Sequence, residues 1–160
     1  MTIKQGDTVP AGTFKQLTAT GIVDVDTASL LKGKKVAVFG VPGAYTPTCS
    51  QHHLPGYVEQ AAALKANGFD AIACISVNDP FVMDAWAKAN GADGKIMMLA
   101  DADGAFTKAL GLVVSLAAFG LGDRSQRYSM IVEDGVVKKL EVETSVLDHE
   151  LSGAACMLRA

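Results

Sequence analysis

An α/β fold built on one central mixed sheet is predicted by three observations on this 160-residue chain. Three short apolar runs, 34–41, 69–77 and 95–100, read as strands, the first of them rich in β-branched residues. Helical stretches separate them, which is the order that builds parallel strands joined by crossovers. Two further runs, 128–132 and 136–140, flank Asp134-Gly135, and Asp-Gly between strands marks a tight antiparallel hairpin.

Ahead of these, residues 12–26 alternate about Thr20-Gly21, the pattern of an N-terminal β-hairpin extension. The strand at 34–41 ends at Pro42-Gly43. A helix is expected to begin at Thr46-Pro47-Thr48, because Thr can cap and Pro is tolerated where no amide donor is needed. Pro55-Gly56 interrupts that helix, removing a hydrogen bond, so a kink is expected there. Residues 80–90 read as a helix ended by Gly91, 105–110 as a short helix, and 148–159 as a final helix with Leu151, Ala154, Ala155 and Leu158 at helical spacing. The order β-α-β followed by β-β-α is a thioredoxin-like arrangement, with helices flanking the sheet. No linker, repeat or low-complexity tract divides residues 1–160, so a single domain is expected.

Composition narrows the function classes. A hydrophobic content of 49% suffices for a sizeable core. The net charge of −3 and the scattering of 14 Lys and Arg leave no basic footprint for nucleic acid. The apolar stretch 110–121 holds Gly111, Ser115 and Gly120 and falls short of the ~20 residues that cross a bilayer. Three cysteines at wide spacing do not form a secreted disulfide framework or a C-x-x-C pair. With Asp7 in a start that lacks an apolar core, a cytoplasmic location is expected.

Cys49 carries the chemistry. It falls in the first turn of the helix that follows Pro42 and Thr46, where unpaired N–H groups and the helix dipole favour an anion. A cysteine so placed can drop from a pKa of ~8.5 toward ~4–7. The run Pro42-x-x-x-Thr46-x-x-Cys49, with residues 50–58, Ile75-Ser76-Val77-Asn78-Asp79, Leu99-Ala100-Asp101 and Arg127-Tyr128-Ser129-Met130-Ile131-Val132-Glu133-Asp134-Gly135, resembles the peroxiredoxins. Within them it is similar to the subfamily that includes plant type II members and the human mitochondrial relative. The resemblance covers nearly the whole chain.

It implies a thiol peroxidase that needs no metal, haem or flavin. Cys49 would attack the terminal peroxide oxygen and become a sulfenic acid, Thr46 would orient thiolate and peroxide, and Pro42 would shield the pocket. Arg127 would stand beside Cys49 as a permanently charged fork of donors; Arg124 is the nearest competitor for that role. Hydrogen peroxide and alkyl hydroperoxides are the implied substrates, glutaredoxin with glutathione or thioredoxin the implied reductant. A homodimer with an apolar collar from residues 112–120 is also implied.

Cys74, in the apolar run 71–77, is a candidate resolving thiol but reads as core; Cys156 falls on the terminal helix rather than in the loop that carries the resolving cysteine of the human relative. The run Cys49-x-x-His52-His53 invites a zinc reading. Adjacent histidines diverge by ~100° on a helix and no fourth ligand is evident, so both read as solvated helix residues. A cysteine hydrolase would need a histidine such as His149 with Asp148 close to Cys49, and nothing in the sequence places them there. The rival class is a non-catalytic peroxide sensor or holdase using the same cysteine.

Overall fold

The computed structural model describes residues 2–158. The predicted apolar runs form the parallel centre of a sheet: β3 (Lys35–Val41), β4 (Ala71–Ser76) and β5 (Met97–Ala100). Val36 is in register with Ala71 and Ala73 with Met97. Their residues are buried on both faces, as expected of strands covered by helices on each side. The N-terminal hairpin, β1 (Thr13–Thr18) and β2 (Gly21–Asp26), joins the sheet antiparallel to β5 through Lys15 and Ala100. On the other side β8 (Tyr128–Glu133) lies antiparallel to β3 and turns into β9 (Val136–Val142). The seven strands run β2-β1-β5-β4-β3-β8-β9. This is the thioredoxin-like α/β arrangement with its N-terminal extension.

Asp134 and Gly135 have φ of 49° and 79°. Two left-handed residues in succession make the turn whose twist matches paired strands, and Gly takes that conformation without strain. The Asp134 carboxylate accepts from the Gly33 amide at 2.7 Å, tying the turn to the start of β3. Gly40 has a different reason: a Cβ there would collide with the Tyr128 ring of the neighbouring strand.

Two apolar layers cover the sheet. One contains Phe39, Tyr57, Leu64, Met83 and Trp86, supplied in part by α2 (Leu54–Ala66) and α3 (Pro80–Ala89). The other contains Phe14, Leu31, Phe106 and Leu110, from β1, α1 (Thr27–Leu31) and α4 (Ala105–Leu110). The helix α1 is absent from the sequence reading. At five residues it is too short for periodicity to show, and its start rests on the Asp26 carboxylate accepting from Ser29. A small ribbon of β6 (Val113–Ser115) and β7 (Asp123–Ser125) interrupts the apolar stretch.

Two expectations are corrected in detail. The interruption at Pro55 is not a simple kink. Residues Cys49–His53 form one wide π turn, with the Leu54 amide donating to the Cys49 carbonyl, and Pro55 is the second residue of the regular helix α2, within the first turn where proline is tolerated. The final helix is also shorter than 148–159: α5 covers only Ala154–Leu158, and Arg159 lies outside the described residues. The amides of Glu150, Leu151 and Ser152, which would have begun a longer helix, donate instead to the Glu143 carboxylate. Helical spacing of apolar residues does not reveal such a competitor.

Candidate active site

The loop between β3 and the π turn is shaped by polar contacts that its own sequence dictates. Pro42 ends the strand. Asn78 Oδ1, just past β4, accepts the Ala44 amide at 3.0 Å and the Ser76 hydroxyl at 2.6 Å, so the Ile75–Asp79 run holds the loop from the neighbouring strand. Tyr45 is carried through a positive φ of 65°. The Thr46 hydroxyl donates to the Gly43 carbonyl at 2.6 Å, leaving its lone pairs available as acceptors. The Ser50 amide donates to the Thr46 carbonyl, which fixes Cys49 in the first helical turn. Trp86 Nε1 donates to Ser50 Oγ at 2.9 Å and pins that turn to α3.

Cys49 is fully buried. Arg127 Nη2 donates to its sulfur at 3.1 Å, a hydrogen bond from a charged donor. Arg127 is itself only 1% exposed, and four of its five N–H donors are engaged. Nε and Nη2 donate to the Val146 carbonyl at 3.2 and 2.9 Å, and Nη1 lies 2.9 Å from His53 Nδ1. Arg124 donates to the Leu121 carbonyl. The structure therefore brings Cys49 and Arg127 together and leaves Arg124 outside the contact with sulfur.

His53 corrects the solvated-helix reading: it has no exposed surface. The wide turn rotates it inward beneath Phe39 and Tyr57. Because Nδ1 faces an arginine donor, the ring proton sits on Nε2 and is donated to the Ser152 carbonyl at 3.1 Å. Burial, then the nearby Arg127 charge and His149, hold its pKa well below the ordinary histidine value, so the ring is neutral. Both nitrogens are engaged, which removes His53 as a zinc ligand. His52 stays exposed. Among the described residues no three His, Cys, Asp or Glu side chains gather as a metal set.

His149 does approach the site, with its ring 5.1 Å from that of His53. Arg127 rather than a histidine touches the sulfur, and Asp148 accepts from Thr144. The triad geometry of a cysteine hydrolase is absent from these residues. Cys74 sits in β4 inside the core with no exposure, and burial followed by the charge on Cys49 pushes its thiol well up, making it a poor nucleophile there. Cys156 lies on α5, half-buried, with Sγ donating to the Glu150 carbonyl at 3.2 Å.

Above the site is an apolar cavity of about 240 Å³ lined by Pro42, Thr46, Leu116, Phe119, Leu121 and Arg127, among others. From the apolar stretch 112–120, Leu116 and Phe119 thus line the cavity; Phe119 is 74% exposed at its edge.

The Redoxin family profile matches residues 4–158. The chain is 50% identical over 145 residues to Peroxiredoxin-2E, chloroplastic, of Arabidopsis thaliana, covering 88% of this chain and 62% of that protein. It is 45% identical over 159 residues to Peroxiredoxin-2B of the same plant, covering 99% and 98%. The chain spans 62 to 65% of the length of the first curated relatives it matches. Among solved structures, reduced Prx3 in complex with H2O2 from Vibrio vulnificus superposes with a TM-score of 0.94 at 53% identity, over 98% of each chain. Matched along almost its whole length, with the buried cysteine and arginine in contact, the chain belongs to the peroxiredoxin family.

Proposed function

We propose that this protein is a thiol peroxidase that reduces hydrogen peroxide and alkyl hydroperoxides. The carrying observation is the 3.1 Å contact from Arg127 Nη2 to Cys49 Sγ, both groups buried under an apolar cavity. In the reaction Cys49 thiolate attacks the terminal oxygen; an S–O bond forms, the O–O bond breaks, and the departing oxide takes up a proton. Thr46 presents lone pairs to the peroxide hydroxyl, Arg127 stabilises charge moving from sulfur to oxygen, and Pro42 limits water at the sulfur. The apolar lining suits an alkyl chain as well as a bare peroxide.

The sulfenic acid on Cys49 then condenses with an external thiol and releases water, and a second thiol frees Cys49 by disulfide exchange. Glutaredoxin with glutathione is the proposed reductant and thioredoxin the second. The burial of Cys74 and the position of Cys156 on α5 support a cycle that uses Cys49 alone. A homodimer through the exposed Val113 and Phe119 region and a cytoplasmic setting belong to the same proposal.

The test is steady-state peroxide consumption by wild type, Cys49→Ser, Cys74→Ser and Cys156→Ser with each reducing system. Many turnovers in all but Cys49→Ser are expected. Loss in a second variant would identify a resolving thiol. A single equivalent of peroxide consumed by wild type with either system would favour the sensor or holdase.

A further inference from the structure

We propose that Glu143 is a positioning residue for peroxide reduction: its carboxylate folds residues 143–152 into a strap whose carbonyls hold the Arg127 guanidinium against Cys49. The inference rests on the reading that Cys49 and Arg127 carry the reaction.

Glu143 follows β9 and is 4% exposed. Its carboxylate accepts the backbone amides of Glu150, Leu151 and Ser152 at 2.7–3.1 Å and the Ser152 hydroxyl at 2.8 Å. Among the described residues no lysine, arginine or histidine forms an ion pair with it. A buried anion satisfied by amides of its own loop shapes that loop. Burial works against the charge, and the Leu151, Ser152 and Glu150 donors outweigh it, holding the carboxyl below its ordinary range. The Glu143 amide also donates to the Arg127 carbonyl at 2.9 Å, so the strap starts in register with the arginine it serves.

What the strap delivers is two carbonyls. That of Val146 takes Arg127 Nε and Nη2. That of Ser152 takes His53 Nε2, which keeps the His53 proton off Nδ1 and leaves Nδ1 to accept from Arg127 Nη1. A guanidinium has five N–H donors. Two go to Val146, one to His53 and one to Cys49, so one hydrogen on Nη1 is left to meet an incoming oxygen. Without the strap the fork loses its Val146 acceptor and can rotate. His53 loses the partner that sets its tautomer, and a proton on Nδ1 would oppose the Arg127 donor. Tyr57 Oη also donates to the Ser152 carbonyl at 2.9 Å, so the strap end is anchored from α2.

Full-length Glu143→Gln, Ser152→Ala and Leu110→Ala are compared with wild type in three measurements: ultraviolet thiolate titration of Cys49, the rate constant for its oxidation by hydrogen peroxide, and Tm. Leu110 lies in the apolar layer opposite the site and controls for lost stability. Glu143→Gln should move the titration up by about one pH unit, a tenfold change in thiolate fraction below the midpoint, and slow oxidation at least ~10-fold. Ser152→Ala should move both the same way by less, and Leu110→Ala should lower Tm alone. The proposal is overturned if Glu143→Gln keeps the wild-type titration and rate, or if Leu110→Ala shifts both as Glu143→Gln does. Should Glu143→Gln not fold, Ser152→Ala decides, and unchanged titration and rate in that variant overturn the proposal. Failure of wild type to turn over peroxide would instead overturn the functional reading, because the titration does not depend on turnover.

Discussion

At the scale of single residues, the site depends on the shape of a cation as much as on its charge. Arg127→Lys keeps a positive charge but cannot bond Val146, His53 and Cys49 at once. Its peroxide rate constant should fall by ~10²-fold or more, the scale of losing one aligned oxyanion donor, while the thiolate titration moves less than in Arg127→Ala. Stopped-flow oxidation alongside ultraviolet titration separates the two effects, and a wild-type rate constant in Arg127→Lys would mean that charge alone matters. The position of Cys49 at a helix start behind Pro42 and Thr46 was legible because a strand, a turn and a helix start converge on one motif, whereas the nearness of Arg127 to Cys49 was expected only from the family resemblance. His53 was not legible. Whether a histidine on a helix faces water or the core depends on the rotation of the turn, and one letter carries no trace of a π turn.

The element that matters most is the π turn Cys49–His53 with its proline stop. A wide turn has poorer hydrogen-bond geometry than the α-helix beyond it. Cys49 has no exposed surface, so a bulky reducing thiol can reach its sulfur only if this turn opens. In the proposed cycle, oxidation would make Cys49 a neutral sulfenic acid and weaken its bond to Arg127. Amide exchange over residues 49–56 should therefore be ~10-fold faster in the sulfenic form than in the reduced form, equivalent to ~1.4 kcal/mol of local stability. Equal protection in the two forms would count against opening. Most elements were legible from apolar runs and their punctuation: the β8–β9 turn from Asp134-Gly135, the end of α3 from Asn90-Gly91. The final helix was overextended because Glu143 competes for its amides from seven to nine residues away, beyond any local pattern.

For the molecule as a whole, buried neutral histidine links folding to pH. His53 is held below its ordinary value, and so is His149, by burial and the Arg127 charge. In the unfolded chain both take up a proton near pH ~6.5. The unfolded state then binds more protons than the native one, so stability is highest above that pH and falls as pH drops through it. His53 alone should contribute a slope approaching ~1.4 kcal/mol per pH unit below ~6. Urea unfolding between pH 7.5 and pH 5 should show this loss, and His53→Gln should flatten the curve; an unchanged slope would locate the linkage elsewhere. The mixed sheet flanked by helices was readable from the sequence, while the tie between the π turn and the strap at residues 143–152 was not, because it is made by backbone carbonyls. That tie has a consequence for biogenesis. The cysteine is synthesised well before Arg127 and the carbonyls of Val146 and Ser152. On a ribosome the nascent chain carries Cys49 without its arginine partner, and the contact can form only when residues 127–152 have emerged and docked.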